Sequence, residues 1–239
     1  KQGVEYSIVH HGSYFYAVTN ANNAVNFKIV KTPLSAPNFE TAEDFLPYNQ
    51  ERYIEGALAV SNYLVLSVRE KGLPGLMIIS ATAVNNNELD STMSHHVAFP
   101  DPGYSVTVMQ NAYFDYNTEW LRFEYSSFTT PDSVFDYNMR TREMVLKKEE
   151  AVLGDFDRTL YKNERIFATS RDGKTQIPVA LVYKKQQQNG SIELNGKNPC
   201  LLYGYGAYGV TYDAYFNSVF LSLLDRGFII AIAQIRGGG

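Results

Sequence analysis

The chain has 239 residues, of which 45% are hydrophobic and 19% are charged, so it can form one large or two modest domains and is too apolar for disorder. Its formal net charge of −4 and the lack of a basic run argue against nucleic-acid binding. The only cysteine, Cys200, excludes an internal disulfide and fits a reducing compartment. No apolar run is long enough to span a membrane, so we expect a soluble, cytoplasmic protein with no membrane partner.

The first half of the sequence predicts β structure. The 18 tyrosines and 14 phenylalanines favour pleated, half-buried surfaces. Short runs of strand-forming residues are separated by turn residues, and no helical periodicity of useful length is present. The predicted strands are Glu5–Val9, Ser13–Thr19, Asn26–Lys31, Tyr63–Val68, Leu76–Ser80, Trp120–Tyr125, Ser133–Tyr137 and Met144–Lys148.

A loose repeat groups these strands. Strand–turn–strand units open at Tyr14, Tyr63 and Trp120. The intervals of about 50 residues are the size of one four-stranded propeller blade. Three such blades are too few to close a ring. We therefore expect residues 1–150 to be the C-terminal part of a β-propeller domain.

The second half changes to an α/β pattern. Its predicted elements are the hairpin strands Arg165–Thr169 and Thr175–Tyr183, the strand Cys200–Tyr203, a Gly/Tyr loop Gly204–Gly209, a helix Ala214–Asp225 and the strand Phe228–Ile235. A strand, a glycine turn, a helix and a strand form a βαβ unit. Residues 151–239 are therefore expected to be a linker and the N-terminal part of an α/β domain. The apolar last strand needs neighbours on both sides, so we interpret the chain as truncated.

Several segments of the sequence carry a family resemblance. They read PCLLYGYGAYG at Pro199–Gly209, LLDRGF at Leu223–Phe228, AQIRGGG at Ala233–Gly239, SRDGKTQIPV at Ser170–Val179 and YSSFTTPDSVFDY at Tyr125–Tyr137. Together they resemble the last propeller blade and the opening of the catalytic domain in the prolyl oligopeptidase family of serine peptidases. Within that family the sequence is most similar to oligopeptidase B.

The resemblance implies a seven-bladed propeller on an α/β-hydrolase domain that cuts short peptides after Arg or Lys, with no cofactor and no metal. It also implies that the Tyr205 hydroxyl donates to the oxyanion and that Tyr208 lines the substrate pocket. The glycines around Tyr205 let the backbone turn at the end of a strand. Without the resemblance, tyrosines in such a loop are packing residues, and Tyr208 could equally be a hydrophobic plug.

One departure from the family pattern affects activity. The sequence has no Gly-x-Ser-x-Gly nucleophile motif, and its four histidines (His10, His11, His95 and His96) all lie in the propeller half. We therefore expect a serine oligopeptidase fragment that lacks the Ser/Asp/His triad and is inactive alone. Its partners would be short basic peptides and the rest of the same protein. Post-proline cleavage and a non-catalytic propeller-type interaction module are the alternatives.

Four other features are expected to have no catalytic role. His95 and His96 are predicted to be a surface pair, because neighbours in a strand face opposite ways and cannot share a metal. Asp155 and Asp157 are expected in a solvated linker. Arg236 is interpreted as a structural charge, and Cys200 as a buried core thiol.

Overall fold

The computed structural model describes residues 2–82, 93–110, 115–185 and 196–238, which contain four four-stranded sheets. Within these ranges, no helix is long and apolar enough to cross a lipid bilayer. The chain divides into two compact units. The first comprises Lys1–Ala98, Val108–Arg122 and Asp136–Met144, and the second comprises Phe99–Thr107, Phe123–Phe135 and Val145–Gly239.

The first two sheets are antiparallel, and each follows chain order. Their strands are β1 (Tyr6–His11), β2 (Tyr14–Thr19), β3 (Lys28–Pro33) and β4 (Glu43–Leu46), then β5 (Arg52–Val60), β6 (Tyr63–Glu70), β7 (Leu73–Ser80) and β8 (Ser94–His96). Their buried side chains form one apolar cluster that includes Tyr16, Ile29, Leu64 and Ile79. Burial of these side chains is the main force that stabilises this unit.

The third sheet also follows chain order. It consists of β9 (Tyr104–Val108), β10 (Trp120–Ser127), β11 (Ser133–Asn138) and β12 (Met144–Glu149). Along β10 exposed and buried residues alternate from Trp120 to Tyr125, as a period of two residues requires. The three four-stranded sheets that the repeat predicted are therefore present.

The fourth sheet is mixed. Its strands β13 (Tyr161–Thr169), β14 (Gln176–Lys184), β15 (Cys200–Gly204) and β16 (Ile229–Ala233) lie in the order β13-β14-β16-β15. Strands β15 and β16 are parallel, and helix α1 (Ser218–Leu224) lies between them in the sequence, which confirms the predicted βαβ unit. A 3-10 helix at Arg158–Leu160 precedes β13.

Helix α1 is shorter than the sequence predicts, because it begins at Ser218 rather than at Ala214. The Asn217 side chain caps it by accepting a 3.0 Å hydrogen bond from the Val219 amide. Just before the cap, the Phe216 amide donates to the Ser126 hydroxyl at 2.9 Å. These side-chain bonds fix the start of the helix at Asn217, whose own backbone is extended.

The position of β16 bears on two predictions: that the last apolar strand lacks a neighbour within this chain, and that Cys200 is buried. This strand lies between β14 and β15, and its residues Ile230, Ala231 and Ile232 are buried. Both neighbours that its apolar sequence requires are therefore strands of this chain. In the described sheet β13 and β15 are the two edge strands, and Cys200 at the start of β15 is exposed. The prediction of a buried thiol is wrong, because only one side of β15 is covered by a strand.

Candidate functional site

Two loops leave the fourth sheet at the same end. The parallel register pairs Gly204, the last residue of β15, with Ala233, the last residue of β16. The segment Tyr205–Gly209 therefore begins beside the segment Gln234–Gly238. The carboxyl ends of parallel strands are where α/β proteins usually place their sites.

The two loops pack backbone against backbone. A Cβ atom at Gly206 would lie 2.2 Å from the Arg236 carbonyl oxygen, and one at Gly237 would lie 2.3 Å from the Gly206 carbonyl oxygen. The Gly209 amide also donates to the Gly237 carbonyl at 3.1 Å. Only glycine fits at this crossing, so Gly206 and Gly237 fix the path of both loops.

Tyr205 follows the last residue of β15 and is 39% exposed. Its ring meets the Tyr212 ring edge to face, with centroids 6.0 Å apart and planes at 85°. Tyr212 meets Tyr203 in the same way at 4.9 Å. Interaction with the Tyr212 hydroxyl raises the pKa of Tyr203. The three rings therefore form a connected group, which we call the tyrosine cluster.

Tyr208 lies on the same loop but outside the tyrosine cluster. Its backbone is left-handed with φ of 58°, and the residue is 93% exposed. The structure thus places both tyrosines predicted for the site at one end of the sheet. Tyr205 packs against another ring there, and Tyr208 projects into solvent.

Polar contacts tie the loops to the neighbouring elements. The Gln234 side-chain amide donates to Asp213 at 3.0 Å, and the Gln234 backbone amide donates to the Pro178 carbonyl at 2.9 Å. Arg236 lies 3.8 Å from the Asp172 carboxylate. This ion pair supports the interpretation of Arg236 as a structural charge.

The remaining polar candidates are His95 and His96 in the first unit and Asp155 and Asp157 in the second. His96 is exposed, but His95 is partly buried and shares a 2.9 Å hydrogen bond with the Tyr137 hydroxyl, so the predicted surface pair is wrong for His95. Burial, followed by the charge of Arg142, lowers the pKa of His95.

Asp155 and Asp157 are exposed, and Asp157 caps the 3-10 helix. Within the described ranges, no three His, Cys, Asp or Glu residues could hold a metal.

Tyrosine hydroxyls are potential hydrogen-bond donors at this end of the sheet, and none of the site residues described above is a histidine. The Tyr205 phenol can donate a hydrogen bond, as any neutral tyrosine can. The sequence places no histidine in residues 97–239 and contains no Gly-x-Ser-x-Gly motif. The described geometry therefore suits stabilisation of an oxyanion better than activation of a nucleophile.

Sequence reasoning did not find Tyr212, Asp213 and Gln234. Tyr212 lies seven positions after Tyr205, and no periodicity relates the two. Their contact depends on the return of the chain after Gly209, which a single sequence does not reveal. The only available signal was the density of tyrosines between Tyr203 and Tyr215.

Comparisons with known proteins agree with this fold. The chain is 35% identical to dipeptidyl aminopeptidase BI from Pseudoxanthomonas mexicana and 30% identical to protease 2 from Moraxella lacunata, over 100% of this chain and 31% of each relative. The structure resembles oligopeptidase B from Trypanosoma brucei with covalently bound antipain in its closed form, with a TM-score of 0.85 and 34% identity over 100% of this chain and 32% of that one. The chain thus spans about a third of the length of these proteins.

The family assignment follows from the first part of the chain. Residues 1–150 match the family described as prolyl oligopeptidase, N-terminal beta-propeller domain. This match covers more than half of the sequence and includes the three sheets β1–β4, β5–β8 and β9–β12. The chain therefore belongs to the prolyl oligopeptidase family.

Proposed function

We propose that this chain is part of a serine oligopeptidase that hydrolyses short peptides after Arg or Lys. The observation that carries the proposal is the exposed Tyr205 phenol at the shared carboxyl end of β15 and β16, in a chain of this peptidase family. The similarity to oligopeptidase B, whose structure contains covalently bound antipain, supports the substrate class.

Tyr205 would act on the transition state of peptide hydrolysis. When a serine attacks the scissile carbonyl, the carbonyl oxygen gains negative charge. The Tyr205 hydroxyl would donate one hydrogen bond to this oxyanion, and a backbone N–H beside the serine would donate the second. A preorganised donor of this kind lowers the barrier by roughly 3 kcal/mol.

Residues 151–239 would begin the peptidase domain, which we propose to be an α/β hydrolase. The parallel pair β15 and β16, with helix α1 between them in sequence, supports this fold. The Ser, Asp and His of the triad would come from a part of the parent protein that this sequence does not include. The single cysteine, Cys200, supports a cytoplasmic location for that protein.

Two aspects of specificity belong to the proposal. Tyr208, on the same loop as Tyr205, would contact the substrate in the complete enzyme. Post-proline cleavage is the second candidate activity, because the chain is also 26% identical to a prolyl endopeptidase from Elizabethkingia meningoseptica. The identity of 34% to oligopeptidase B favours cleavage after basic residues.

The proposal is tested by replacing Tyr205 with Phe in the complete parent enzyme. Loss of one transition-state hydrogen bond should lower kcat by about 10²-fold and change KM little. Tyr48→Phe is the matched control, since Tyr48 is also 39% exposed but lies in the first unit. Peptide substrates ending in Arg, Lys or Pro would separate the two candidate specificities. A kcat of Tyr205→Phe within about threefold of wild type would exclude the oxyanion role.

A second experiment uses the chain of 239 residues alone. It should not hydrolyse fluorogenic peptides ending in Arg or Lys, because an oxyanion donor without a nucleophile and base gives little acceleration. Persistent turnover that disappears in Tyr205→Phe would contradict the assignment of the catalytic residues. Binding of peptides without any turnover by the parent protein would favour the non-catalytic interaction module.

A further inference from the structure

Tyr212 contacts both the proposed oxyanion donor and strand β15. Its ring contacts the rings of Tyr205 and of Tyr203 in β15, and both contacts are edge to face, with interplanar angles of 85° and 84°. This is one of the two arrangements that aromatic pairs prefer at such distances. Tyr212 therefore links Tyr205 to the strand that precedes it.

Tyr212 is itself held at two points. Its ring packs edge to face on the Tyr203 ring, with centroids 4.9 Å apart. The next residue, Asp213, accepts a 3.0 Å hydrogen bond from Gln234, directly after β16. The Tyr212 ring is thus fixed to β15 through its side chain and to the end of β16 through its neighbour in the chain.

Tyr205 needs such support because its own surroundings are open. The residue is 39% exposed and lies between Gly204 and Gly206, which add no side-chain packing. An oxyanion donor acts only if it is held within about 0.5 Å of the productive position. Among the described residues, Tyr212 is the side chain whose ring contacts the Tyr205 ring.

We propose that Tyr212 is a positioning residue that holds the Tyr205 phenol at the oxyanion site. This inference rests on the proposed function of Tyr205. Tyr212 acts through Tyr205 and does not touch the reacting atoms. Its removal should therefore affect kcat and leave ground-state binding, and hence KM, unchanged.

The test is a double-mutant cycle in the complete parent enzyme. Tyr212→Ala should lower kcat by about three- to tenfold, the equivalent of one aromatic pair, with KM unchanged. Tyr212→Phe keeps the ring and both ring contacts and loses only the hydroxyl, so its loss should be smaller. In the Tyr205→Phe background, Tyr212→Ala should change kcat by less than about twofold, because the positioned hydroxyl is already absent.

Two further variants control for folding. Tyr215→Ala removes a tyrosine of the same segment that is 38% exposed, close to the 37% of Tyr212, but packs on Phe220. It should leave kcat within about twofold of wild type. Tyr212→Leu fills the apolar volume without an aromatic edge, and it should reproduce the kcat loss if Tyr212→Ala proves too unstable to purify.

The outcomes separate this inference from the proposed function. If Tyr205→Phe lowers kcat but neither Tyr212→Ala nor Tyr212→Leu does, the positioning role is excluded and the oxyanion role stands. Additive losses in the double variant would likewise exclude action through Tyr205. If Tyr205→Phe leaves kcat unchanged, the proposed function fails, and the positioning role fails with it.

Discussion

The Tyr125 hydroxyl donates a 2.7 Å hydrogen bond to the Asp101 carboxylate in the second unit. The same carboxylate accepts hydrogen bonds from Thr130 at 3.1 Å, Thr129 at 3.3 Å and Asn163 at 3.4 Å. Burial and the bond to Asp101 raise the pKa of Tyr125, which keeps the phenol a donor. Asp101 thus joins the end of β10 and the turn after it to β13.

Replacing Asp101 with Ala should destabilise the second unit, because it leaves several donors without their acceptor. We expect the free energy of unfolding to fall by about 3 kcal/mol, and by less for Asp101→Asn, which keeps one acceptor oxygen. Urea unfolding followed by circular dichroism would measure it. Asp132→Ala, which removes an exposed carboxylate nearby, should change stability by about 0.5 kcal/mol or less. Equal losses in the two variants would refute a structural role for the Asp101 bonds.

Most of the propeller strands were predictable because their signal is local, but β4, β5, β8 and β9 were not predicted. From Leu121 to Tyr125 the alternation of apolar and polar residues is visible in the sequence and matches the exposure seen in β10. Strand β5 was missed because Glu55 and Gly56 interrupt its pattern, and the structure has a register shift at this point. A bulge moves side chains between faces, so a simple period of two cannot detect it.

The residues of the candidate site could not be predicted from local sequence patterns. The segment around Tyr205 was found through its resemblance to a family, whereas Tyr212 required the course of the returning chain. Cys200 was predicted to be buried because it begins an apolar strand. Apolar character alone does not distinguish a central strand from an edge strand, and the order β14-β16-β15 decided that the central position belongs to β16.

His11 should make the first unit sensitive to acid. The side chain lies at the end of β1, is 2% exposed and packs against the Tyr16 ring. Burial and, to a lesser degree, the charge of His10 lower the pKa of His11 below 6.5, although the nearby backbone of Val60 and Ser61 acts in the opposite direction. The folded state therefore favours the neutral ring.

The lowered pKa of His11 should make the first unit less stable at acidic pH. Below about pH 6.5 the unfolded chain binds a proton at His11 more readily than the folded chain, so stability falls as the pH decreases through that range. His11→Phe keeps an aromatic ring and removes the titration, and should reduce the loss of stability between pH 7.5 and pH 5. Urea midpoints at both values would measure it. His10→Phe, at an exposed position, should retain most of the wild-type loss, because the charge of His10 is the smallest contribution to the shift. A loss in His11→Phe as large as that of wild type would refute the assignment.

Gly206→Ala should disrupt the crossing of the two site loops. The added Cβ would lie 2.2 Å from the Arg236 carbonyl oxygen and 2.8 Å from Cγ1 of Ile235. Because the first obstacle is backbone, one of the loops must move, and we expect a loss of about 1–3 kcal/mol in stability. Thermal unfolding would measure it. Gly56→Ala is the matched control, since its Cβ meets no atom within 4 Å. Equal losses of stability in the two variants would show that the backbones of the two loops do not restrict the residue at position 206.

Self-association of the purified chain should occur through β15. In the described sheet this strand pairs only with β16, and its outward residues include Leu202, which is 66% exposed. An exposed apolar edge can pair with a second chain, and a charge placed on it opposes this pairing. Leu202→Lys should therefore reduce the associated fraction several-fold in sedimentation velocity. Leu153→Lys makes the same change in charge at a residue that is 97% exposed and lies outside every strand, so it should have little effect. A wild-type chain that stays monomeric, or equal effects of the two lysines, would show that the β15 edge does not drive association.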